Sequence, residues 1–168
     1  MPLLRTQLQK NLKGAGRIAI LGIGSSLRGD DVAGLLVIDR LRAARRTAKK
    51  RPPLKLFSCE TTPENFTGEI KRFKPTHIVI VDAVDMGKGA GSVRIIGPEK
   101  ESTNASFSTH GLPIKIFIDY LCRSFSCRII TIGIQPESIE FGSLLSTRVS
   151  KTIKQVSGII MDSTGCHQ

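Results

Sequence analysis

The stretch "RIAILGIGSSLRGDDVAG", Arg17 to Gly34, contains the pattern that decides the fold. A short apolar run over residues 17–23 predicts a buried strand, and apolar positions at helical spacing over residues 31–46 predict a helix. A glycine-containing loop between such a strand and helix usually binds phosphate at the helix N-terminus. This loop ends instead in two adjacent carboxylates, Asp30 and Asp31, which would repel a phosphate.

The rest of the chain continues the alternation of strands and helices. Alternation of this kind is typical of an α/β fold in which helices cover both faces of a mainly parallel sheet. A chain of 168 residues has the length of one such domain. The predicted elements after the first helix are a strand over 54–59, a helix over 63–73, a strand over 76–83, a hairpin partner or edge strand over 92–97, a loop over 98–110, a helix over 112–124, a strand over 127–134 and a helix over 143–163.

Composition and charge exclude several classes of protein. No apolar run reaches the ~18 residues of a membrane span, and the N-terminal residues lack the continuous apolar region of a signal peptide, so we expect a cytoplasmic protein. The net charge of +11, concentrated between Arg40 and Lys55, suggests an acidic partner or nucleic acid. However, the chain has one Tyr and no Trp, and lacks the interleaved basic and aromatic residues that bind single strands. We therefore predict no nucleic-acid partner.

Three polar groups follow predicted strands at their carboxyl ends: Asp30–Asp31, Asp82 and His110. Ligands bind at this edge of a parallel sheet. Two carboxylates and one imidazole suit a first-row divalent metal such as nickel, zinc or manganese, with coordination positions left open. Each residue also has a plainer interpretation: an aspartate as helix cap, Asp82 as a polar residue where its strand surfaces, and His110 as a structural loop residue. A cap requires only one carboxylate, so the second aspartate remains unexplained.

The motifs around these residues resemble those of the hydrogenase maturation proteases of the HycI/HybD type. The family's first motif, roughly G-x-G-N-x-L-x-G-D-[DE]-G-x-G, is similar to "GIGSSLRGDDVAG", its apolar strand ending in D-A to "HIVIVDA", and its S/T-x-H before a helix to "FSTHGLP". The resemblance extends over residues 17–160. It implies one α/β domain, a phosphorylase/hydrolase-like three-layer α/β/α sandwich with a mainly parallel, mixed five-stranded sheet. A basic extension over 1–16 precedes this domain, and a tail over 161–168 follows it.

The same resemblance implies the activity. Members of the family are endopeptidases that remove the C-terminal extension of the nickel–iron hydrogenase large-subunit precursor after nickel insertion. The catalytic and metal-contacting residues carried over by motif are Asp31, Asp82 and His110. We expect the substrate to present the nickel, and zinc or cadmium could occupy the same site in isolation. We also expect a monomer.

Three positions depart from the family pattern. Ser25 replaces the usual Asn, and Val32 replaces the usual Gly, which excludes an easy positive φ at that position. The segment "ETTPEN" at 60–65 stands where the family tends to have D-G-G-[ST]. Glu60 preserves the acid there, but the threonines that follow it make the backbone less permissive.

Several mechanisms and functions remain open from the sequence. Asp31, Asp82 and His110 could recognise nickel bound in the substrate, or hold a metal that activates a water. Without a metal, the two aspartates could share a proton as an aspartic-type pair. One alternative is a dinucleotide-binding oxidoreductase domain built on the loop 22–29, although its third glycine falls at 29 instead of 27. A non-enzymatic basic binding module is the other alternative.

Overall fold

A mixed, mainly parallel sheet forms the centre of the molecule. The computed structural model describes residues 1–44, 52–96, 107–108, 111–124 and 126–165. Its strands are β1 (Ile18–Ile23), β2 (Leu54–Glu60), β3 (His77–Asp85), β4 (Val93–Ile96), β5 (Phe107–Ser108) and β6 (Arg128–Ile134). Five of them follow the order β2–β1–β3–β6–β4, in which only β4, at one edge, runs antiparallel to its neighbour. The two-residue strand β5 lies off this order and pairs antiparallel with the end of β3.

Helices cover both faces of the sheet. They are α1 (Pro2–Asn11), α2 (Ala33–Ala44), α3 (Thr67–Phe73), α4 (Gly111–Ser124) and α5 (Thr147–Ser163). Successive side chains of a strand point to opposite faces, so Ile18 and Ile20 of β1 pack with the apolar residues of α1, α2 and α5. Ala19 and Leu21 pack on the other face with residues of α3 and α4. This arrangement confirms the predicted α/β/α sandwich around a mixed five-strand sheet.

The N-terminal helix contributes to the core, although the sequence pattern assigned no role to residues 1–16. Leu4, Leu8 and Leu12 are spaced four residues apart, which places them on one side of a helix. All three are buried in the same cluster as the apolar residues of α5. An ion pair between Arg5 and Asp162 links the two helices at the surface.

Two predicted helices begin as tighter turns. The helix predicted over 31–46 starts as a 3-10 turn, Gly29–Val32, and continues as α2, while residues 45–51 lie outside the described structure. The helix predicted over 63–73 likewise consists of a 3-10 turn, Pro63–Phe66, followed by α3. Of the loop predicted over 98–110, only 107–108 lie within the described residues, and they form β5 rather than loop. None of the helices in the described part of the chain combines the length and the apolar character needed to cross a membrane.

Candidate active site at the carboxyl edge of the sheet

The carboxyl ends of the parallel strands meet at one edge of the sheet. Gly22 of β1 pairs with Val81 of β3, and Asp82 pairs with Gly133 of β6. The loop after β1 also contacts the end of β2, since the backbone N–H of Gly24 donates to the carbonyl oxygen of Glu60 over 3.0 Å. The loops that leave β1, β2, β3 and β6 therefore surround one region, where the sequence places its candidate residues.

Asp31 lies fully buried on the 3-10 turn Gly29–Val32. Gly24, with φ of +144°, allows the preceding loop to pass close to it, because a Cβ at Gly24 would lie 1.8 Å from the carbonyl oxygen of Asp31. Gly34 fixes the other side of the turn. A Cβ at Gly34 would lie 2.3 Å from the carbonyl oxygen of Ile23 and 2.4 Å from that of Val81. Glycine at both positions thus seats the turn that carries Asp31 against the ends of β1 and β3.

Asp82 follows Val81 directly and is 1% exposed. The turn that carries Asp31 contacts β3, the strand that carries Asp82. Two carboxyl groups are thereby buried on contacting elements at the sheet edge where ligands of such folds bind. Buried carboxyl groups at a ligand-binding edge are therefore candidates for a functional site.

Asp30 is also fully buried, and its carboxylate is bonded to residues far along the chain. Its Oδ1 accepts a hydrogen bond from the backbone N–H of Ser146 over 2.7 Å, and its Oδ2 accepts from the Ser146 hydroxyl over 2.9 Å. Oδ2 also accepts from the backbone N–H groups of Glu137 over 2.7 Å and Ser138 over 3.4 Å. Asp30 therefore ties the loop after β6 to the start of α5. The two adjacent aspartates are explained by two tasks, since Asp30 anchors a distant loop and Asp31 stays at the sheet edge.

These contacts bear on two other interpretations of the glycine loop, as the source of a helix cap and as a dinucleotide-binding loop. The carboxylate oxygens of Asp30 accept hydrogen bonds from Ser146 and from the loop before it, so the helix-cap interpretation does not describe Asp30. The cap residue that Asp30 binds belongs to another helix: Ser146 accepts a hydrogen bond from the backbone N–H of Val149 in the first turn of α5. A dinucleotide pyrophosphate would meet two buried carboxylates where the Gly22–Gly29 loop enters α2, which disfavours the oxidoreductase alternative.

Gln135, a residue that the sequence pattern did not single out, holds the turn after β3. It is buried at the end of β6. Its Oε1 accepts hydrogen bonds from the backbone N–H groups of Met86 over 2.7 Å and Lys88 over 3.2 Å, and its Nε2 donates to Asp85 over 3.1 Å. The backbone N–H of Gly87, and then this amide, lower the pKa of the Asp85 carboxyl. The sequence does contain a signal for this role: Gln135 comes directly after an apolar strand, and a buried amide requires hydrogen-bond partners.

His110, the third predicted site residue, lies outside the described residues. Within the described ranges, no three His, Cys, Asp or Glu side chains are grouped so as to hold a metal ion. The described part of the site therefore supplies two carboxylates, Asp31 and Asp82. The histidine contribution stays a prediction.

The departures from the family motifs have local structural consequences. Val32 does not take a positive φ, as expected for a residue with a branched side chain. The unusual backbone lies at Glu60 instead, where φ is +49° and the pairing of β1 with β2 shifts register. Ser25 makes a local contact, since its hydroxyl oxygen accepts a hydrogen bond from the backbone N–H of Leu27 over 3.3 Å.

The buried thiol of Cys59 and the half-buried thiol of Cys127 are unsuited to nucleophilic attack at neutral pH. Burial, and then the charge of Glu64, raise the pKa of Cys59 to about 12. Burial, and then Cys122, raise the pKa of Cys127 to about 11. Both groups stay protonated near pH 7, and only the thiolate is an effective nucleophile. Cys166 lies outside the described residues.

Comparisons with known proteins agree with the motif pattern. The sequence matches the family model described as HycI, hydrogenase maturation protease, over residues 37–163. The hydrogenase 3 maturation protease of Escherichia coli strain K12 is 31% identical over 137 residues, which cover 82% of this chain and 84% of that protein. A Methanocaldococcus jannaschii protein named for the same activity is 40% identical over 141 residues, covering 82% of this chain and 83% of that protein. The crystal structure of the [NiFe] hydrogenase maturation protease HycI from Thermococcus kodakarensis matches with a TM-score of 0.82 and 32% identity, covering 95% of this chain and 99% of that one.

Proposed function

This chain belongs to the hydrogenase maturation protease family, and we propose that it removes the C-terminal extension of a nickel–iron hydrogenase large-subunit precursor once nickel has been inserted. The observation that carries this proposal is the burial of Asp31 and Asp82 on contacting elements at the carboxyl edge of the sheet. We assign His110 to the proposed site because it lies in the S/T-x-H motif before a helix.

The donor set fits recognition of a substrate-bound divalent ion. Carboxylate oxygens and an imidazole nitrogen are accepted by first-row divalent metals, including nickel. Three ligands from the enzyme leave coordination positions for groups of the substrate. Nickel is then part of the substrate, and contact between the ion and these side chains positions the peptide bond to be cut. Zinc or cadmium, added alone, would compete for the same ligands.

The aspartates also supply the groups that peptide hydrolysis needs. A carboxylate within hydrogen-bond reach of a water acts as a general base, and a paired carboxyl can hold the proton that is returned to the leaving amine. A divalent ion held beside them would lower the pKa of a bound water. Both the aspartic-type and the metal-assisted route assign the proton transfers to Asp31 and Asp82. The environment of Asp30 excludes it from this role, because its oxygens accept hydrogen bonds from Ser146 and the loop before it.

Both proposed catalytic aspartates are buried in the free enzyme. Asp31 is 0% exposed and Asp82 is 1% exposed. Burial of the carboxylates in the free enzyme would keep them from hydrolysing peptides that lack the recognised metal.

The test of the proposed site residues is cleavage of the nickel-loaded precursor, followed by its mass. We expect Asp31→Ala, Asp82→Ala and His110→Ala each to lower the rate at least ~100-fold, the usual scale for loss of a general base or acid. Asp85→Asn is the matched control, since Asp85 is an exposed carboxylate on the same strand and asparagine keeps an acceptor for Gly87. Processing at the wild-type rate by Asp31→Ala or Asp82→Ala would refute the assignment. The cytoplasmic location stays a prediction that fractionation of the host cell would test.

A further inference from the structure

Three large apolar side chains stand exposed beside the proposed site. Leu27 is 60% exposed, Phe141 is 76% exposed and Leu144 is 89% exposed. We propose that these residues, here called the apolar rim, form the surface on which the large-subunit precursor docks through an apolar segment of its own. The inference rests on the proposed function, because it names a second contact for the same substrate.

The members of the apolar rim come from two loops that are bonded to each other. The backbone N–H of Gly142 donates to the carbonyl oxygen of Leu27 over 2.8 Å. Arg28 reaches the same loop, since its Nε donates to the carbonyl oxygen of Ile139 over 3.2 Å. Gly29 allows the close approach, because a Cβ there would lie 2.2 Å from the hydroxyl oxygen of Ser143. Leu27, Phe141 and Leu144 are thus presented by adjoining backbone segments.

The loops that carry the apolar rim are bonded to the turn that carries Asp31. Leu27 lies four residues before Asp31 in the same loop. The other loop is held to that turn by Asp30, through Ser146 and Glu137 at its two ends and through the hydrogen bond from the N–H of Asp30 to the carbonyl oxygen of Ser138 over 2.9 Å. A peptidase has to bring its protein substrate to the site, so a surface fixed to the Asp31 turn is one that the substrate meets.

The size of the apolar rim favours a transient partner over a second copy of the chain. Three exposed side chains present on the order of a few hundred Å² of apolar surface, which is the size of a typical monomer's largest patch and is often functional. A stable dimer requires about 800 Å² from each partner. The free energy gained on burying apolar surface is proportional to its area. A small surface therefore gives weak binding, which suits a substrate that must dissociate after cleavage.

Binding and cleavage separate this inference from the proposed function. The variants are Leu27→Ser, Phe141→Ser and Leu144→Ser, alone and combined. Leu3→Ser on α1, where Leu3 is 71% exposed, is the matched control on another surface. The side chains are exposed, so we expect each variant to unfold within a few degrees of the wild type. The first measurement is the Kd for the metal-free precursor, which reports docking without the nickel contact.

We expect the combined variant to weaken this binding at least about tenfold, and Leu3→Ser to leave it unchanged. With the nickel-loaded precursor we expect a higher KM and an unchanged kcat, because docking acts before the chemical step. Equal Kd and KM for the combined variant and the wild type would overturn the inference, as would a wild type that does not bind the metal-free precursor. A wild type that binds through the apolar rim but cuts no precursor would refute the proposed function and leave the docking surface standing.

Discussion

The hydroxyl of Ser146 donates to Oδ2 of Asp30 over 2.9 Å and accepts from the N–H of Val149 over 3.3 Å. One side chain thereby connects the turn that carries Asp31 to the N-terminus of α5. Asp30 and Ser146 are 116 residues apart in the chain. Their hydrogen bonds join the two ends of the domain at the proposed site.

Removal of the Asp30 carboxylate should destabilise the protein. Asp30→Ala removes the charged acceptor of the partly buried hydrogen bonds from the N–H groups of Ser146 and Glu137, and a hydrogen bond to a charged group contributes roughly 1.5–3 kcal/mol. We expect the free energy of unfolding to fall by about 3 kcal/mol, measured by urea denaturation. Glu140→Ala, an exposed change in the same loop, should alter it by less than about 0.5 kcal/mol. An Asp30→Ala protein as stable as the wild type would show that these hydrogen bonds do not anchor the loop.

Gly34 should not tolerate a side chain. Gly34→Ala forces a Cβ against the carbonyl oxygens of Ile23 and Val81, which belong to the sheet and cannot rotate away. We expect a loss of about 2–3 kcal/mol in unfolding free energy, the upper range of overpacking, together with slower processing because the Asp31 turn is displaced. Gly158→Ala is the control within α5, where a Cβ meets nothing within 4 Å. It should gain about 0.5–1 kcal/mol, the usual helix preference of alanine over glycine.

Glu60 holds a left-handed conformation that glycine adopts without strain. A residue with a Cβ loses roughly 1–2 kcal/mol in this region, while glycine loses about 0.5–1 kcal/mol more chain entropy on folding. We expect Glu60→Gly to be more stable than Glu60→Ala by about 0.5–1 kcal/mol in chemical denaturation. A Glu60→Gly protein less stable than Glu60→Ala would mean that the positive φ is not occupied.

His77 should make stability depend on pH in the mildly acidic range. Burial, and then the charge of Arg128, lower its pKa from 6.5. A lowered pKa in the folded state means that the unfolded state binds more protons just below pH 6.5, so stability falls as pH drops through this window. We expect the unfolding free energy to decrease between pH 7.5 and 5.5, and His77→Gln to show a smaller decrease. If the unfolding free energy of the wild type and of His77→Gln changed equally with pH, His77 would not be the source of this pH dependence.

The main features of the fold follow from local patterns in the sequence. The continuous apolar run of β3 and the glycine loop after β1 predict parallel strands whose carboxyl ends meet, and this is where the structure places Asp31 and Asp82. The short turn before residues 92–97 predicts a hairpin partner or an edge strand. The edge position of β4 is confirmed, but the hairpin alternative is wrong, because β4 pairs with β6 and not with the preceding strand β3. These features depend on residues close together in the chain, so sequence periodicity is enough to indicate them.

Other features depend on partners far away in the chain. The anchoring by Asp30 requires Ser146, and nothing in the loop "RGDD" indicates that residue. The role of α1 requires the apolar side of α5, because Leu4 and Leu8 stand among polar and basic residues. The positive φ of Glu60 arises from a register shift between β1 and β2, which side-chain patterns do not encode.

We propose that Asp31, Asp82 and His110 recognise nickel in the substrate. The most direct measurement compares cleavage of one large-subunit precursor in its nickel-loaded and nickel-free forms by the wild-type protein, with the product mass as readout. We expect the wild type to remove the C-terminal extension from the nickel-loaded form alone, and Asp31→Ala to remove it from neither form. Efficient trimming of the nickel-free precursor by the wild type would contradict it.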